Sequence, residues 1–341
     1  MEGILNVGDK LKNYTIFARS GLRAYLGTDD NSHKETFIKQ IPYSELNKQR
    51  IVHLQSIKHE NLLPIIDFIE KGEWLYVVYE YCEEGALEKY ITQNKGKQKD
   101  KEASKLINQL ISGYKELYDR NLLHQNIKPS NIYITYNLKN EVIIKLGDFG
   151  FIRNILGNKE LYTAPEVLFN KYEVSISSDM WSIGAITFFI LQGTPPFTSW
   201  GEFLISDMQQ GNYAVNQDLS RYCIDFICMC LQYKVDKRMT FEKMIEHPFV
   251  TGRKYKIVEV MKEGPAIKKA KIYILEDNAK YASSFNLSNS HEVKEEKAVE
   301  NKEAYMAKKI IELNTDNHIE EFRPMPATET KKEGSLGINE Q

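Results

Sequence analysis

The chain has 341 residues, of which 42% are hydrophobic and 27% charged, so it can bury the core of one large domain or two ordinary ones. Its formal net charge of −2 gives no general attraction to nucleic acid or anionic lipid, and we expect neither as a partner. The amino terminus has no basic head before a long apolar core, so we expect no signal peptide and an intracellular, cytoplasmic protein.

Four short runs near the amino terminus predict β-strands, and one stretch between the third and fourth predicts a helix. The helix covers Leu46 to Ile57, where Ile51, Leu54 and Ile57 recur at helical spacing. The strand candidates read YTIFA, RAYLGTD, TFIKQI and WLYVVYEY. This part of the chain therefore predicts a small sheet with one helix.

From Leu87 to Phe249 the hydrophobic pattern is mostly helical, and ASKLINQLISGYKELYD places its apolar residues on one face. The longest apolar run, Trp181 to Leu191, is shorter than the roughly 18 to 20 residues that span a bilayer. It favours a buried core helix. The cysteines lack the paired spacing of a zinc site and predict buried free thiols: Cys82, Cys223, Cys228 and Cys230.

After Val250 the composition shifts to Lys, Glu, Asn and Ser. The runs YKIVEV and KIYILED flank a Lys-Glu-Gly-Pro segment and predict a hairpin. Beyond Asp277 only the stretch from Val293 to Leu313 favours a helix, and we expect most of this tail to be flexible.

A series of short motifs runs along the chain in one order. The motifs are Thr36-Phe37-Ile38-Lys39, HQNIKPSN from His124 to Asn131, Asp148-Phe149-Gly150, Ala164-Pro165-Glu166, the segment Asp179 to Gly184, the segment Gly193 to Phe197, Arg238, and His247-Pro248-Phe249. Together they resemble the protein kinase superfamily over residues 11 to about 250, where the first four correspond to VAIK, HRDxKxxN, DFG and APE. The KPSN form is similar to that of serine/threonine kinases.

The resemblance implies an α+β, bilobal protein kinase fold. Residues 1–82 would form a small β-rich N-lobe with one main helix, and residues 83–250 a larger, mostly helical C-lobe. Residues 251–341 would be a charged tail, largely flexible, with the hairpin and the helix described above.

The resemblance also implies ATP and Mg²⁺ as cofactors, if any nucleotide binds, and assigns residues to them. Asp148 and Asn131 would hold the metal, Lys39 would contact the phosphates, and Lys128 would lie beside the transferred group. Residues at positions that surround the nucleotide in kinases are Gly21, Ala24, Phe37, Tyr81 and Tyr133. The four polar residues can equally act as hydrogen-bond partners that hold the fold, and the sequence leaves both interpretations open.

The catalytic carboxylate of the kinase motif is absent, because HRD here reads His124-Gln125-Asn126. An amide has neither the negative charge nor the basicity to accept a hydroxyl proton. Positioned general-base catalysis contributes about 10²- to 10⁴-fold. Asn126 could still orient a substrate by hydrogen bonding, which leaves slow turnover as an alternative.

A second departure concerns the helix Glu that pairs with the strand Lys in active kinases. Counting back nine residues from His59 places Arg50 there. Two cations held 4 Å apart repel by about 4 kcal/mol at an effective dielectric of 20, so Arg50 would push Lys39 away. If the helix register differs, Glu45 becomes the partner instead.

The loop that covers the phosphates in kinases has no matching glycines. Placing Ala24 at the kinase Val puts Phe17, Arg19 and Leu22 at the three glycine positions, and only Gly21 is nearby. Side chains there hinder the close backbone approach to phosphate that glycine permits. We interpret this strand-turn-strand as structural.

The adenine pocket departs from the kinase pattern as well. Phe37 and Tyr133 stand where kinases sandwich adenine between a small and an aliphatic side chain, and Tyr79 takes the gatekeeper place. Interiors are close-packed, so the rings and a nucleotide would compete for one volume. The alternative is that Phe37 swings aside and adenine stacks on it.

Other positions match residues that hold the kinase fold. Glu166 and Arg238 resemble the buried ion pair that braces the helical lobe, and Asp179 resembles the residue that holds the catalytic loop. The column of side chains that joins the two lobes in kinases corresponds to Leu54, Ile65, His124 and Phe149.

The sequence therefore predicts a pseudokinase with little or no phosphotransfer, acting as a binding or allosteric module for an unknown protein partner. One alternative is a slow or atypical ATP-dependent serine/threonine protein kinase that uses Lys39, Lys128, Asn131 and Asp148. Another is a nucleotide-binding switch without transfer.

Overall fold

The computed structural model describes residues 4–42, 54–93, 99–148, 160–168, 174–216, 218–252, 255–262 and 268–275. Most of the helix predicted over Leu46 to Ile57 lies outside these residues, as does the whole stretch from Val293 to Leu313. Glu45, Arg50 and Phe149 are likewise outside them. The interpretations that rest on these residues stay predictions.

The amino-terminal lobe contains a six-stranded sheet in the order β1-β2-β3-β4-β6-β5. Its strands are β1 Lys10–Leu11, β2 Tyr14–Gly21, β3 Ala24–Asp29, β4 Glu35–Pro42, β5 Ile65–Lys71 and β6 Trp74–Glu80. All four predicted strands are confirmed. The sequence did not predict β5, because a bulge between Ile65 and Asp67 shifts the strand's register and spoils its alternation of buried and exposed residues.

The carboxyl-terminal lobe is mainly helical. Its helices are α1 Leu87–Gln93, α2 Asp100–Tyr118, α3 Pro165–Leu168, α4 Ile176–Gln192, α5 Gly201–Gln210, α6 Arg221–Cys230, α7 Phe241–Glu246 and α8 Pro248–Thr251. Helix α2 buries the predicted apolar face, from Leu106 to Leu117. Helix α4 buries every residue from Trp181 to Leu191, so the longest apolar run is a core helix, as predicted.

Local chemistry sets the bounds of α4. Ser175 starts the helix, since its side chain accepts the backbone N–H of Ser178 while the Ser178 side chain accepts that of Ser175. Gly193 ends it in the left-handed region, with a φ of 76° that glycine adopts without a Cβ clash. No helix in the described ranges has both the length and the apolarity needed to cross a bilayer.

A three-stranded sheet in the second lobe was not predicted. It consists of β7 Gly85–Ala86, β8 Ile132–Tyr136 and β9 Val142–Leu146, with β8 in the middle. Asn131 immediately precedes β8, and Asp148 lies two residues beyond β9. This small sheet therefore brings two of the predicted site residues to the same end of the antiparallel β8–β9 pair.

One continuous cluster of buried apolar side chains contains residues of both lobes, among them Leu54, Ile65 and Tyr79 from the first and Leu106 and Leu146 from the second. The bilobal α+β fold is confirmed.

The strands β10 Tyr255–Lys262 and β11 Lys268–Leu275 pair antiparallel in the segment where the sequence predicted a hairpin. All four cysteines are free, and three of them are buried, whereas Cys228 is half-buried.

Candidate active site

Asp179 on α4 fixes the start of the catalytic loop, the segment of residues 124–131. Its carboxylate accepts the backbone N–H of His124 at 2.8 Å and that of Gln125 at 3.0 Å. Tyr114 on α2 donates its hydroxyl to the same carboxylate at 3.1 Å, a contact that the sequence did not reveal. The loop start is thus held by a buried carboxylate, in agreement with the role that the resemblance implied for Asp179.

Two asparagines lie within this loop. The side-chain amide of Asn131, which is 2% exposed, donates to the carbonyl oxygen of Asn126 at 2.9 Å. Its Nδ2 is therefore committed to holding the loop, and its Oδ1 is the atom suited to a cation. Asn126 donates its backbone N–H to His124 Nδ1 at 3.2 Å and places a neutral amide where kinases have a carboxylate.

Lys39 on β4 and Asp148 after β9 form a mostly buried ion pair, in which Lys39 Nζ donates to Asp148 Oδ2. Tyr79 donates its hydroxyl to the other carboxylate oxygen, Oδ1, at 3.4 Å. Burial is the largest single influence on the pKa of Lys39 and lowers it, but the charge and hydrogen bond of Asp148 together with the Tyr133 hydroxyl outweigh burial, so the pKa lies above its ordinary value. Both oxygens of Asp148 face protein donors. A magnesium ion, which demands oxygen ligands, would have to displace them.

Phe37, Tyr79 and Tyr133 form an aromatic cluster around this ion pair. Phe37 on β4 is paired directly with Tyr79 on β6, with ring centroids 6.3 Å apart, and its ring lies 5.7 Å from that of Tyr133 on β8. Lys39 Nζ lies 5.5 Å from the Phe37 centroid and 5.7 Å from the Tyr133 centroid, within cation–π range. The lysine is therefore held by two rings as well as by Asp148.

These distances decide whether a nucleotide base fits. A planar base stacked between two rings needs about 3.5 Å on each face, or about 7 Å between the rings. The centroids of Phe37 and Tyr133 are 5.7 Å apart and their planes are tilted by 52°. The residues present therefore do not fit adenine in this arrangement, and Phe37 would have to move before a base could enter.

The remaining predicted nucleotide contacts lie at the ends of strands. Gly21 pairs with Ala24 across the tight turn between β2 and β3, and a Cβ added to Gly21 would meet only the Ala24 Cβ, at 3.6 Å. Hence the backbone here does not require glycine. Leu22, at one of the kinase glycine positions, is 79% exposed. Tyr81 is half-buried and follows β6 in the segment between the lobes.

The aromatic cluster makes a pH-dependent contribution to stability. Burial raises the pKa of Tyr133 to about 12, from an ordinary value near 10. Between pH 10 and pH 12 the Tyr133 hydroxyl stays protonated in the folded protein but loses its proton in the unfolded chain, so the free energy of unfolding falls as the pH rises. At pH 11 the loss due to Tyr133 is about 1.4 kcal/mol. Between pH 8 and pH 11 the free energy of unfolding, measured in urea, should fall less in Tyr133→Phe than in the unmodified protein. An equal loss in both would contradict the shifted pKa.

Comparison with known proteins places this geometry in a family. The protein kinase domain model matches residues 21–250. The chain is 32% identical over 240 residues to the serine/threonine-protein kinase ATG1c of Arabidopsis thaliana, a match that covers 64% of this chain and 32% of that protein. It is 29% identical over 222 residues to calcium-dependent protein kinase 5 of Plasmodium falciparum, covering 61% of this chain and 38% of that one.

The chain thus spans about a third of the length of these relatives. Among solved structures, the crystal structure of Rad53 1-466 in complex with AMP-PNP superposes with a TM-score of 0.62. It shares 24% sequence identity, and the match covers 70% of this chain and 66% of that one, which supports the fold. From the matched domain and the fold together, we conclude that this chain belongs to the protein kinase family.

Proposed function

We propose that this protein is a pseudokinase with little or no phosphotransfer, which acts as a binding or allosteric module. The observation that carries the proposal is the 5.7 Å separation between the rings of Phe37 and Tyr133, which leaves no room for a base between them. Asn126 adds to it, because the loop offers an amide and not a carboxylate to an accepting hydroxyl. Binding of a nucleotide and removal of the proton from an accepting hydroxyl are therefore both impaired.

The same residues support a role in binding. Asp179 and Asn131 hold the catalytic loop in one conformation through buried hydrogen bonds, although the loop has lost its carboxylate. A rigid surface costs less to order when a partner binds. We propose that the partner is a protein, since a formal net charge of −2 does not favour nucleic acid or anionic lipid. We also propose that the two act inside the cell, in the cytoplasm.

A slow serine/threonine kinase is the second candidate. The ion pair between Lys39 and Asp148 favours this candidate, and so does the buried position of Asn131, whose amide oxygen suits a cation. These are the groups that would contact phosphate and metal in an active relative. For this candidate, Phe37 would have to swing away from Tyr133.

The test is to follow the melting temperature during an ATP titration, with and without magnesium, beside a radiolabel transfer assay. A ligand at 100 times its dissociation constant adds about 2.7 kcal/mol, which is about 5 to 11 °C for a domain of this size. Because Phe37 and Tyr133 lie too close for adenine, we expect millimolar ATP with magnesium to raise the melting temperature by less than about 1 °C. Phe37→Ala should open the space and make binding detectable.

The matched control is Phe203→Ala, since Phe203 is 77% exposed and lies outside the aromatic cluster. Each variant is compared with its own melting temperature without ATP, which removes the effect of the substitution on stability. A clear magnesium-dependent shift in the unmodified protein would contradict the occluded site. Transfer of label that vanishes in Asp148→Ala would replace the pseudokinase with the slow kinase.

A further inference from the structure

The turn between β2 and β3 carries two arginines that lack a carboxylate partner. From residue 10 to residue 28 the chain has four cations and no acidic residue. The two lysines at the start of this segment pair with Asp30 and Asp67, at 3.0 and 2.7 Å. Arg19 and Arg23, by contrast, form no ion pair among the described residues, Glu73 of the β5–β6 turn included. The β2–β3 turn is therefore a candidate site for an anionic ligand.

Both arginines lie on the face of the six-stranded sheet that is turned away from Lys39. Arg19 is paired directly with Tyr25, and residues that stand opposite each other in a sheet share a face. Trp74, over which the second arginine lies, packs against the apolar cluster that contains Tyr25. Ile38 belongs to that cluster, so its neighbour in β4, Lys39, is on the other face. The two arginines are thus separate from the nucleotide position.

The arginine surface is defined by Arg19, Leu22, Arg23 and Trp74. Both arginines are exposed, Leu22 is 79% exposed and Trp74 is half-buried. A single exposed leucine is ordinary on a protein surface, but this one lies between two cations, one of which covers an indole ring. Arg and Trp are enriched among the residues that carry most of the energy of protein interfaces. The combination therefore favours a surface that binds a protein.

Local contacts already place both guanidinium groups. Arg19 Nη2 donates to the backbone carbonyl oxygen of Leu22 at 3.4 Å, and the guanidinium carbon of Arg23 lies 4.6 Å from the centroid of the Trp74 ring. A guanidinium has five N–H donors, and a cation–π contact uses the ring face. Donors therefore remain on both groups for the two parallel bonds that arginine forms with a carboxylate. Little ordering is needed when a ligand binds.

The number of cations decides between the possible anionic ligands. Lipid-binding basic segments carry clusters of about 4 to 8 Lys or Arg, and nucleic-acid binding likewise draws on many phosphate contacts. The arginine surface has two cations and an exposed apolar side chain between them. It therefore suits a ligand with few negative charges and an apolar group, which is the chemistry of an acidic protein segment.

We propose that the arginine surface binds an acidic segment of a partner protein, in which two carboxylates flank an apolar side chain. The carboxylates pair with Arg19 and Arg23, and the apolar side chain packs against Leu22 and Trp74. This inference goes beyond the proposed function, because the surface excludes the nucleotide position and the catalytic loop. The ATP titration and the label-transfer assay test that function independently.

The experiment uses the full chain and a library of short peptides in which acidic and apolar positions are varied. We expect enrichment of peptides that carry two acidic residues around an apolar one. Fluorescence polarisation should show that an enriched peptide binds at least about tenfold more tightly than the same peptide with Gln or Asn in place of Glu or Asp. Its affinity should fall as salt is added, because exposed charges are screened.

Variants of the two arginines test the assigned contacts. Arg19→Gln and Arg23→Gln should each weaken binding of the enriched peptide by at least about tenfold. Arg23→Lys keeps the charge but loses the paired hydrogen bonds, so its affinity should lie between those of Arg23→Gln and the unmodified protein. The matched control is Arg221→Gln, since Arg221 is also exposed and lies 4.9 Å from the ring of Tyr222, but on α6. It should leave binding unchanged, and thermal melts show that each variant is folded.

Several results would overturn the inference. They are the absence of any enriched peptide, equal binding of the acidic peptide and its amide form, and unchanged binding in both arginine-to-glutamine variants. RNA or anionic vesicles that bind more tightly than the peptide, and lose binding in Arg23→Gln, would assign the surface to those ligands instead. Sedimentation that shows self-association of the unmodified chain, lost in Arg23→Gln, would assign it to a second copy.

Discussion

Phosphotransfer by Asn126→Asp alone is expected to stay near background. A restored carboxylate contributes its factor of about 10²- to 10⁴-fold only in the fraction of molecules that hold ATP in a productive pose. The contact between Phe37 and Tyr133 keeps that fraction small, because the two rings lie closer than a base between them allows. Losses at binding and at proton transfer act in series, and repair of one leaves the other.

The combined variant should behave differently. With Phe37→Ala opening the base position, Arg50→Glu supplying the acidic partner predicted for Lys39, and Asn126→Asp restoring the base, we expect measurable transfer. Transfer should exceed that of the Phe37→Ala, Arg50→Glu double variant, which has the opened base position but lacks the carboxylate, by at least about 100-fold. Radiolabel transfer to a generic basic protein substrate, together with autophosphorylation, is the measurement.

The control for this series is the same triple variant carrying Asp148→Ala, which removes the carboxylate that would hold magnesium. It should return to background. Robust turnover in Asn126→Asp alone would show that ATP binds in the unmodified protein, and the occlusion argument would then be wrong. Inactivity of the triple variant despite a magnesium-dependent ATP melting shift would place the remaining loss in residues beyond these three.

Arg238→Ala is expected to cause the largest loss of stability. The Arg238 guanidinium is fully buried and forms two bonds with the Glu166 carboxylate, at 2.6 and 2.9 Å. It also donates to the carbonyl oxygens of Ser177 at 2.8 Å and Gln232 at 3.1 Å, and it lies 5.1 Å from the Trp181 ring. Removing one partner of a buried pair leaves an uncompensated charge and costs about 3 to 5 kcal/mol.

That cost corresponds to a fall of about 6 to 20 °C in melting temperature, which thermal unfolding followed by circular dichroism would record. Should Arg238→Ala not fold, Arg238→Lys is the substitute, because it keeps the charge but loses the two parallel hydrogen bonds to the carboxylate. Its melting temperature should lie below that of the unmodified protein and above that expected for Arg238→Ala. Lys115→Ala breaks the exposed pair with Asp119 and should cost less than about 1 kcal/mol. A loss below about 1 kcal/mol in Arg238→Ala would contradict the bracing role of this pair.

The six-stranded sheet and the three-stranded sheet differ in how well the sequence predicted them. The strands β2, β3, β4 and β6 have clear runs between polar turns and were predicted. The strands β8 and β9 lie within a helical part of the chain and follow a catalytic motif, and the sequence analysis treated that region as helical. These two strands form a local antiparallel hairpin with only residues 137–141 between them, so the runs IYITY and VIIKL were a short-range strand signal that the helical interpretation of this region overrode.

The candidate site divides in a similar way. The sequence identified Lys39, Asp148 and Asn131 by motif, and the structure brings the first two together across 109 residues of chain. It missed the hydrogen bonds of Tyr79 to Asp148 and of Tyr114 to Asp179. A tyrosine in an apolar run looks like a core residue, and nothing in its local pattern shows where its hydroxyl points.

By itself, the sequence determined the family, the bilobal fold and the loss of the catalytic carboxylate, because residue identities in ordered motifs are read directly from the chain. It also placed three aromatic residues at the base position without showing whether they would meet. Only the tertiary structure decided that the rings of Phe37 and Tyr133 lie 5.7 Å apart and that both oxygens of Asp148 face protein donors. These features depend on how side chains from distant strands and helices pack against one another, and close packing is a property of the whole fold.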